Sequence, residues 1–259
     1  MESRMPAIFV GHGSPMLALE HGEVANGLEE VGNKVIERHG KPKGILAVSA
    51  HFYTHGSYVV SSGSPKQIYD MYGFPKELYA FQYPAVGSPE LARHVLSLLK
   101  EEATPTNQWG IDHGVWTVLC HMFPKADVPV VEFSVDGDIS PEEAYEIGKK
   151  LAPIREEGYL ILGSGNVVHN LREVEWDNPS GSEKTIAFNE KVKELALMRN
   201  DDALIHFEKL ENSSYAIPTP DHYLPLIYLL GASLGEKPEI FNSHCELGSI
   251  AMTGFAFGL

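Results

Sequence analysis

Short apolar runs alternate along the chain with longer stretches whose apolar positions recur every three or four residues, and this alternation predicts an α/β fold. The strand candidates are Ala7 to Val10, Gly44 to Ala50, Tyr58 to Ser61, Val128 to Ser134 and Tyr159 to Leu162. Several are almost wholly apolar, as expected of strands covered on both faces. Gly248 to Phe257 alternates well enough to form a closing strand, paired with Glu239 to Ser243. Helix starts are signed by their caps. Ser88-Pro89-Glu90 places a capping hydroxyl, a proline at the first helical position and a carboxylate in the first turn. Ser140-Pro141-Glu142-Glu143 repeats this and adds a capping-box glutamate. Thr219-Pro220-Asp221 predicts a third helix, running through Leu229 and Leu230 and stopping at Gly231. No repeat, low-complexity tract or Gly/Ser linker marks a boundary, so the expected architecture is a single α/β domain with a mixed central β-sheet flanked by helices.

Composition narrows the function classes. The 259 residues carry 20 Lys+Arg against 35 Asp+Glu, a formal net charge of −15. No basic cluster is available for a phosphate backbone or an anionic membrane surface, so neither nucleic acid nor membrane is expected as a partner. Gly, Pro or charge interrupts every apolar stretch before the ~20 residues a membrane helix needs. Met1 to Pro6 lacks the apolar core of a signal peptide. Cys120 and Cys245 are far apart and outside any paired spacing, as in a protein of a reducing, cytoplasmic compartment. Twelve histidines are the one unusual feature.

The histidines follow strands. Ile8-Phe9-Val10 leads into Gly11-His12-Gly13-Ser14-Pro15, Ile45 to Val48 into Ser49-Ala50-His51, and Leu160-Ile161-Leu162 into Gly163-Ser164-Gly165-Asn166-Val167-Val168-His169-Asn170. In open α/β sheets ligands collect beyond the carboxyl ends of the strands, so three strands would bring His12, His51 and His169 to one edge. His113 precedes the apolar segment Val115 to Met122, and His222 falls in the first turn of the Thr219 helix. The positive end of a helix dipole disfavours a protonated ring there, and a metal requires a neutral one. A lone histidine after a strand is more often a hydrogen-bonded structural residue; convergence of several is what points to a site. His21, His39, His55, His94 and His206 sit among polar neighbours and read as solvated. His121 and His244 each adjoin a cysteine, but the two pairs are remote in sequence. Asp221 and Glu246 are candidate carboxylate ligands, although most acidic residues on such a surface are solvated. Gly163-Ser164-Gly165 lacks the third glycine of a dinucleotide fingerprint and the lysine of a P-loop, and neither Ser14 nor Ser164 sits in a Gly-x-Ser-x-Gly elbow. Tyr72 to Tyr79 with Tyr83-Pro84 reads as a packed surface loop or as a wall over an aromatic substrate.

Several motifs in register resemble the class III extradiol ring-cleavage dioxygenases, the LigB superfamily, and most closely its DOPA extradiol dioxygenase branch. They are Gly11-His12-Gly13-Ser14-Pro15, Ser49-Ala50-His51, Tyr72-Gly73-Phe74-Pro75, Trp109-Gly110-Ile111-Asp112-His113-Gly114, Gly165 to Asn170 and Pro218 to Pro225. The resemblance implies one catalytic domain over residues 5–259 and a mononuclear non-haem Fe(II) site that splits a catechol with dioxygen. It implies that His12, His51 and His222 hold the metal. His169 would lie against substrate and dioxygen as acid/base, close enough to contact the metal, and His113 would sit on the substrate side. Where the broader superfamily shows two histidines and a carboxylate, this chain presents His222, and an all-nitrogen set also suits Zn(II). Three ligands leave positions open for two catechol oxygens and dioxygen. A zinc-dependent hydrolase, or a non-catalytic metal-binding protein on the same scaffold, is the alternative reading.

Overall fold

The structure, a computed structural model, describes residues 4–259; Met1–Ser3, half of the stretch read for a signal peptide, lie outside the described residues. Eight strands form one sheet: β1 Ala7–Gly11, β2 Gly44–Thr54, β3 Ser57–Val60, β4 Ala103–Thr106, β5 Val130–Asp136, β6 Tyr159–Gly165, β7 Pro238–Phe241 and, near the carboxyl end, β10 Gly254–Phe257. A small hairpin joins β8 Cys245–Glu246 to β9 Ile250–Ala251. The strand order is β4-β3-β5-β2-β6-β1-β10-β7. The four central strands β5, β2, β6 and β1 run parallel, whereas β3 pairs antiparallel with β5 and β10 antiparallel with β1. The sheet is therefore mixed, with a parallel centre that aims four carboxyl ends at one edge.

Alternation along β1 explains the layers. Ile8 and Val10 face one cluster, with Val24 to Val35 of α1 (Glu23–His39) and Val115 to Met122 of α4 (His113–Met122). Ala7 and Phe9 face the other, with α3 (Pro89–Leu99), α5 (Pro141–Leu151), α6 (Glu183–Met198) and α9 (Leu224–Ala232). Both faces are covered, which is why the central strands are mostly apolar. The short helices α2 (Lys76–Ala80), α7 (Asp201–Ile205) and α8 (Ser213–Ala216) lie in the connections. Ser88 and Ser140 cap α3 and α5 as their sequences predict, the latter with a complete capping box. Among the described residues no helix is long and apolar enough to cross a membrane.

Three expectations need correction. The Thr219 helix begins at Leu224: Tyr223 and Leu224 donate to the Pro220 carbonyl in a single turn, and Pro225 has no N–H to carry that turn onward. His222 thus sits in a turn just before the helix. The closing strand divides into β9 and β10 at Met252-Thr253, and only β10 pairs with β7. Finally, β2 does not end before His51 but runs past it to Thr54.

Candidate metal centre

Each histidine of the centre is placed by the end of an element. The His12 N–H donates to the Gly165 carbonyl at 3.1 Å, carrying the β1–β6 ladder one residue beyond β1. In β2 the pairing with β5 steps from Ser49↔Ser134 directly to Tyr53↔Val135, so Ala50, His51 and Phe52 form a bulge that re-aims the His51 ring. His169 pairs with Ile250 of β9, flanked by bonds from Ala251 N–H to Val168 O (3.0 Å) and Asn170 N–H to Ser249 O (3.2 Å). The His222 carbonyl accepts the Asn166 N–H at 2.9 Å. That approach needs Gly165, because a Cβ there would lie 2.1 Å from the same carbonyl oxygen. His113 opens α4 after Asp112, whose N–H donates to Glu132 Oε1 at 2.9 Å. Gly114 leaves room for the His51 ring, which a Cβ would meet at 2.9 Å.

All five sequence-predicted histidines meet at this edge. Ring centroids are 4.9 Å apart for His12–His51, 5.2 Å for His12–His222 and 5.1 Å for His51–His222. Three imidazoles binding one ion through nitrogens at about 2.1 Å hold their centroids about 5 Å apart, so this near-equilateral triangle suits a common cation. By nitrogen spacing it is His113 that joins His12 and His51: ring nitrogens of these three all fall within 4.8 Å of one another, although the His113 centroid distances, 5.9 Å to His12 and 3.9 Å to His51, are unequal. His169 stacks on His222 at 3.5 Å with the rings nearly parallel, at 4°.

Partners fix the tautomers. Ser164 donates its hydroxyl proton to the Gly114 carbonyl, so it accepts from His12 Nδ1, 2.9 Å away. Asp221 accepts from His222 Nδ1. Asp70 accepts from His113 Nδ1 at 2.9 Å and faces His51 Nδ1 at 3.2 Å. In His12, His113 and His222 this leaves the lone pair on Nε2, and neutral His51 shares that arrangement when its Nδ1–H faces Asp70. The Nε2 atoms of His12 and His51 are 3.1 Å apart, and that of His222 is buried with no hydrogen-bond partner among the described residues. A buried nitrogen lone pair left bare is costly unless a cation takes it, and the donor set fits a divalent transition metal. The His169 ring differs: among the described residues no group hydrogen-bonds it.

The electrostatics set His51 apart from the other rings. Burial, reinforced by the neighbouring imidazoles, pushes the pKa of His12 and His222 well down, and burial takes His169 down to about 4. These rings are neutral at neutral pH. Burial also works against a charged His51, yet the Asp70 hydrogen bond and the fields of Asp112, Asp70 and Asp221 together raise its pKa. Asp70 is itself desolvated, but the hydrogen bonds from His113 and His51 outweigh that and keep it ionised. Behind it, burial raises Asp112 and, well above the usual carboxylate range, Glu132.

Asp70, Ser164 and Glu132 escaped the sequence reading as site residues. Asp221 is a partner of a histidine, and Glu246 pairs with His244 at 3.6 Å. His21 and His55 are exposed, while His39, His94 and His206 are half-buried at the surface. His94 meets Glu157 and His206 meets Glu142; His121 hydrogen-bonds the Leu17 carbonyl. In the aromatic segment Tyr72 is 92% exposed, while Tyr79 packs on Tyr69, which lies just before the segment and in turn packs on Trp116.

Over residues 6–258 the chain matches the family described as "Catalytic LigB subunit of aromatic ring-opening dioxygenase". It belongs to the LigB family, and is an extradiol ring-cleaving dioxygenase, which takes a small aromatic substrate and O2. Among its curated relatives, 4,5-DOPA dioxygenase extradiol of Escherichia coli K12 is 40% identical over 99% of this chain and 96% of its own length. The Beta vulgaris protein of the same name is 33% identical over 96% and 95%. The crystal structure of an uncharacterized Escherichia coli K12 protein superposes with a TM-score of 0.85 at 37% identity, covering 98% of this chain and all of that one.

Proposed function

We propose that this chain is a metal-dependent dioxygenase that inserts both atoms of O2 into a catechol of the DOPA type and opens the ring beside its hydroxyls, through one catalytic domain over residues 5–259. The observation that carries this reading is the contrast between anchored and unanchored rings. His12, His51 and His222 each have Nδ1 beside a polar partner, and their ring centroids are almost equally spaced; they are the proposed ligands. Fe(II) is the proposed active metal, and Zn(II) fits the same nitrogens in a purified sample. When bound, Fe(II) supplies open positions for the catechol oxygens and dioxygen and a path for electron density between them.

The rest is the work of the chain. His169, neutral and without a partner, is the base that takes a catechol hydroxyl proton and the acid that returns it. Its face-to-face stack on His222 would hold it close to a metal bound by that ring. His113, fixed by Asp70, lies on the substrate side and orients the catechol. The two free thiols suit a reducing, cytoplasmic location. The test is anaerobic reconstitution with Fe(II), followed by oxygen uptake on a catechol panel that includes DOPA. A yellow semialdehyde formed mole for mole with O2 consumed is expected. Absence of turnover on the whole panel, or activity that survives without iron and oxygen, would overturn the proposal.

A further inference from the structure

We infer that Asp70 is a positioning residue shared by two imidazoles with different tasks, so that one carboxylate sets both metal affinity and the orientation of the substrate-side histidine. The inference rests on the roles proposed above for His51 and His113. Asp70 lies in the irregular stretch between β3 and α2, away from every strand end that delivers a histidine. Its Oδ1 accepts the His113 Nδ1–H at 2.9 Å and the His113 backbone N–H at 3.1 Å. Its Oδ2 faces His51 Nδ1 at 3.2 Å. Both acceptor atoms are therefore committed, one to each ring, and the rings lie with centroids 3.9 Å apart.

A carboxylate can accept from both rings at once because it carries acceptors on both oxygens and no donor. An asparagine cannot. Its amide nitrogen would face one Nδ1 as a donor, and that ring could answer only by taking its proton on Nε2. If the ring is His51, the lone pair needed for the metal is lost; if it is His113, the substrate-side nitrogen changes from acceptor to donor. The outer carboxylate beside a metal-ligating histidine typically carries 10- to 100-fold in metal affinity. Here the same group would carry a comparable factor in turnover, through His113.

The test is Asp70→Asn beside Asp221→Asn, whose carboxylate touches His222 alone. Imidazole 15N–1H correlation spectra of the Zn(II)-loaded wild type should show His51 and His113 both protonated at Nδ1. Asp70→Asn should convert at least one of them, weaken Zn(II) binding about 10- to 100-fold in a chelator competition, and lower kcat at saturating Fe(II) about tenfold or more. Asp221→Asn should weaken Zn(II) binding and leave the His51 and His113 signals in place. A wild-type His113 protonated at Nε2, or an Asp70→Asn protein with unchanged tautomers and Zn(II) affinity, overturns the inference. The spectra and the zinc competition need no turnover, so an inert wild type would sink the proposed reaction while these two measurements still judge Asp70.

Discussion

On one side of the metal centre His51 and His113 share the Asp70 carboxylate; on the other, His222 has Asp221 to itself and His169 has no hydrogen-bond partner among the described residues. The difference separates two duties that imidazole can perform. A ring whose Nδ1–H is held by a carboxylate has one tautomer and one direction, which is what coordination demands. A ring held only by stacking keeps its place yet can gain or lose a proton at either nitrogen. The electrostatic contrast is sharpest between His51 and His169. Asp70 and Asp112 favour positive charge on His51, whereas burial and the neighbouring rings disfavour it on His169. A proton accepted by His169 is therefore readily given back.

The hardest test of this contrast is removal of the metal. Dialysis against a strong chelator should abolish oxygen uptake altogether, and Fe(II) added back without oxygen should restore it. Next comes His169→Gln, which should lower kcat by about 10²- to 10⁴-fold while metal content, measured on the same batch, stays at the wild-type level. Metal loss in that variant would mean that the stacked ring is a ligand after all. Gly165→Ala is expected to cost about 1–3 kcal/mol in chemical denaturation, because the new methyl group meets the His222 carbonyl; metal retention should fall with it.

The smallest effect is on the pH dependence of the metal-free protein. His12, His222 and His169 have folded-state pKa values below their ordinary 6.5, so as pH falls below about 6.5 the unfolded chain binds protons that the folded chain refuses. Their contribution is complete above that pH and is lost on the way down, reaching about 4 for His169. The raised pKa of His51 acts in the opposite sense, stabilising below 6.5 and fading above its own value. Outside the centre His39 is lowered while His55 and His244 are raised at more exposed positions, so the buried rings set the sign: the Tm is expected to decline from pH 6.5 to pH 5, with a shallower slope in His169→Gln. A flat or rising profile would show that the anchored side outweighs the other.

What the sequence revealed was the part of the centre governed by local rules. Apolar runs ending in Gly-His or Ser-Ala-His announce strand ends, and Ser-Pro-Glu announces helices, because those preferences act within a few residues. The hidden parts are those decided by pairing at a distance. The β2 bulge exists because β5 offers no residues opposite Ala50 to Phe52, a fact of register that β2 does not itself encode. Asp70 stands in a stretch with no periodicity, and only the tertiary fold sets it beside two rings. Thr219-Pro220-Asp221 satisfied every local sign of a helix start, yet Pro225 moved the start to Leu224. The edge strand β4 is Ala-Thr-Pro-Thr, too polar and too short to announce itself.

The proposed ligands come from positions 12, 51 and 222, and β1, which carries the earliest of them, lies between β6 and β10 in the interior of the sheet. A nascent polypeptide emerging from the ribosome therefore cannot assemble this chelate until residue 222 has been added. Capture of an ion by all three would then follow the synthesis of strands β1 to β6, which frame the site.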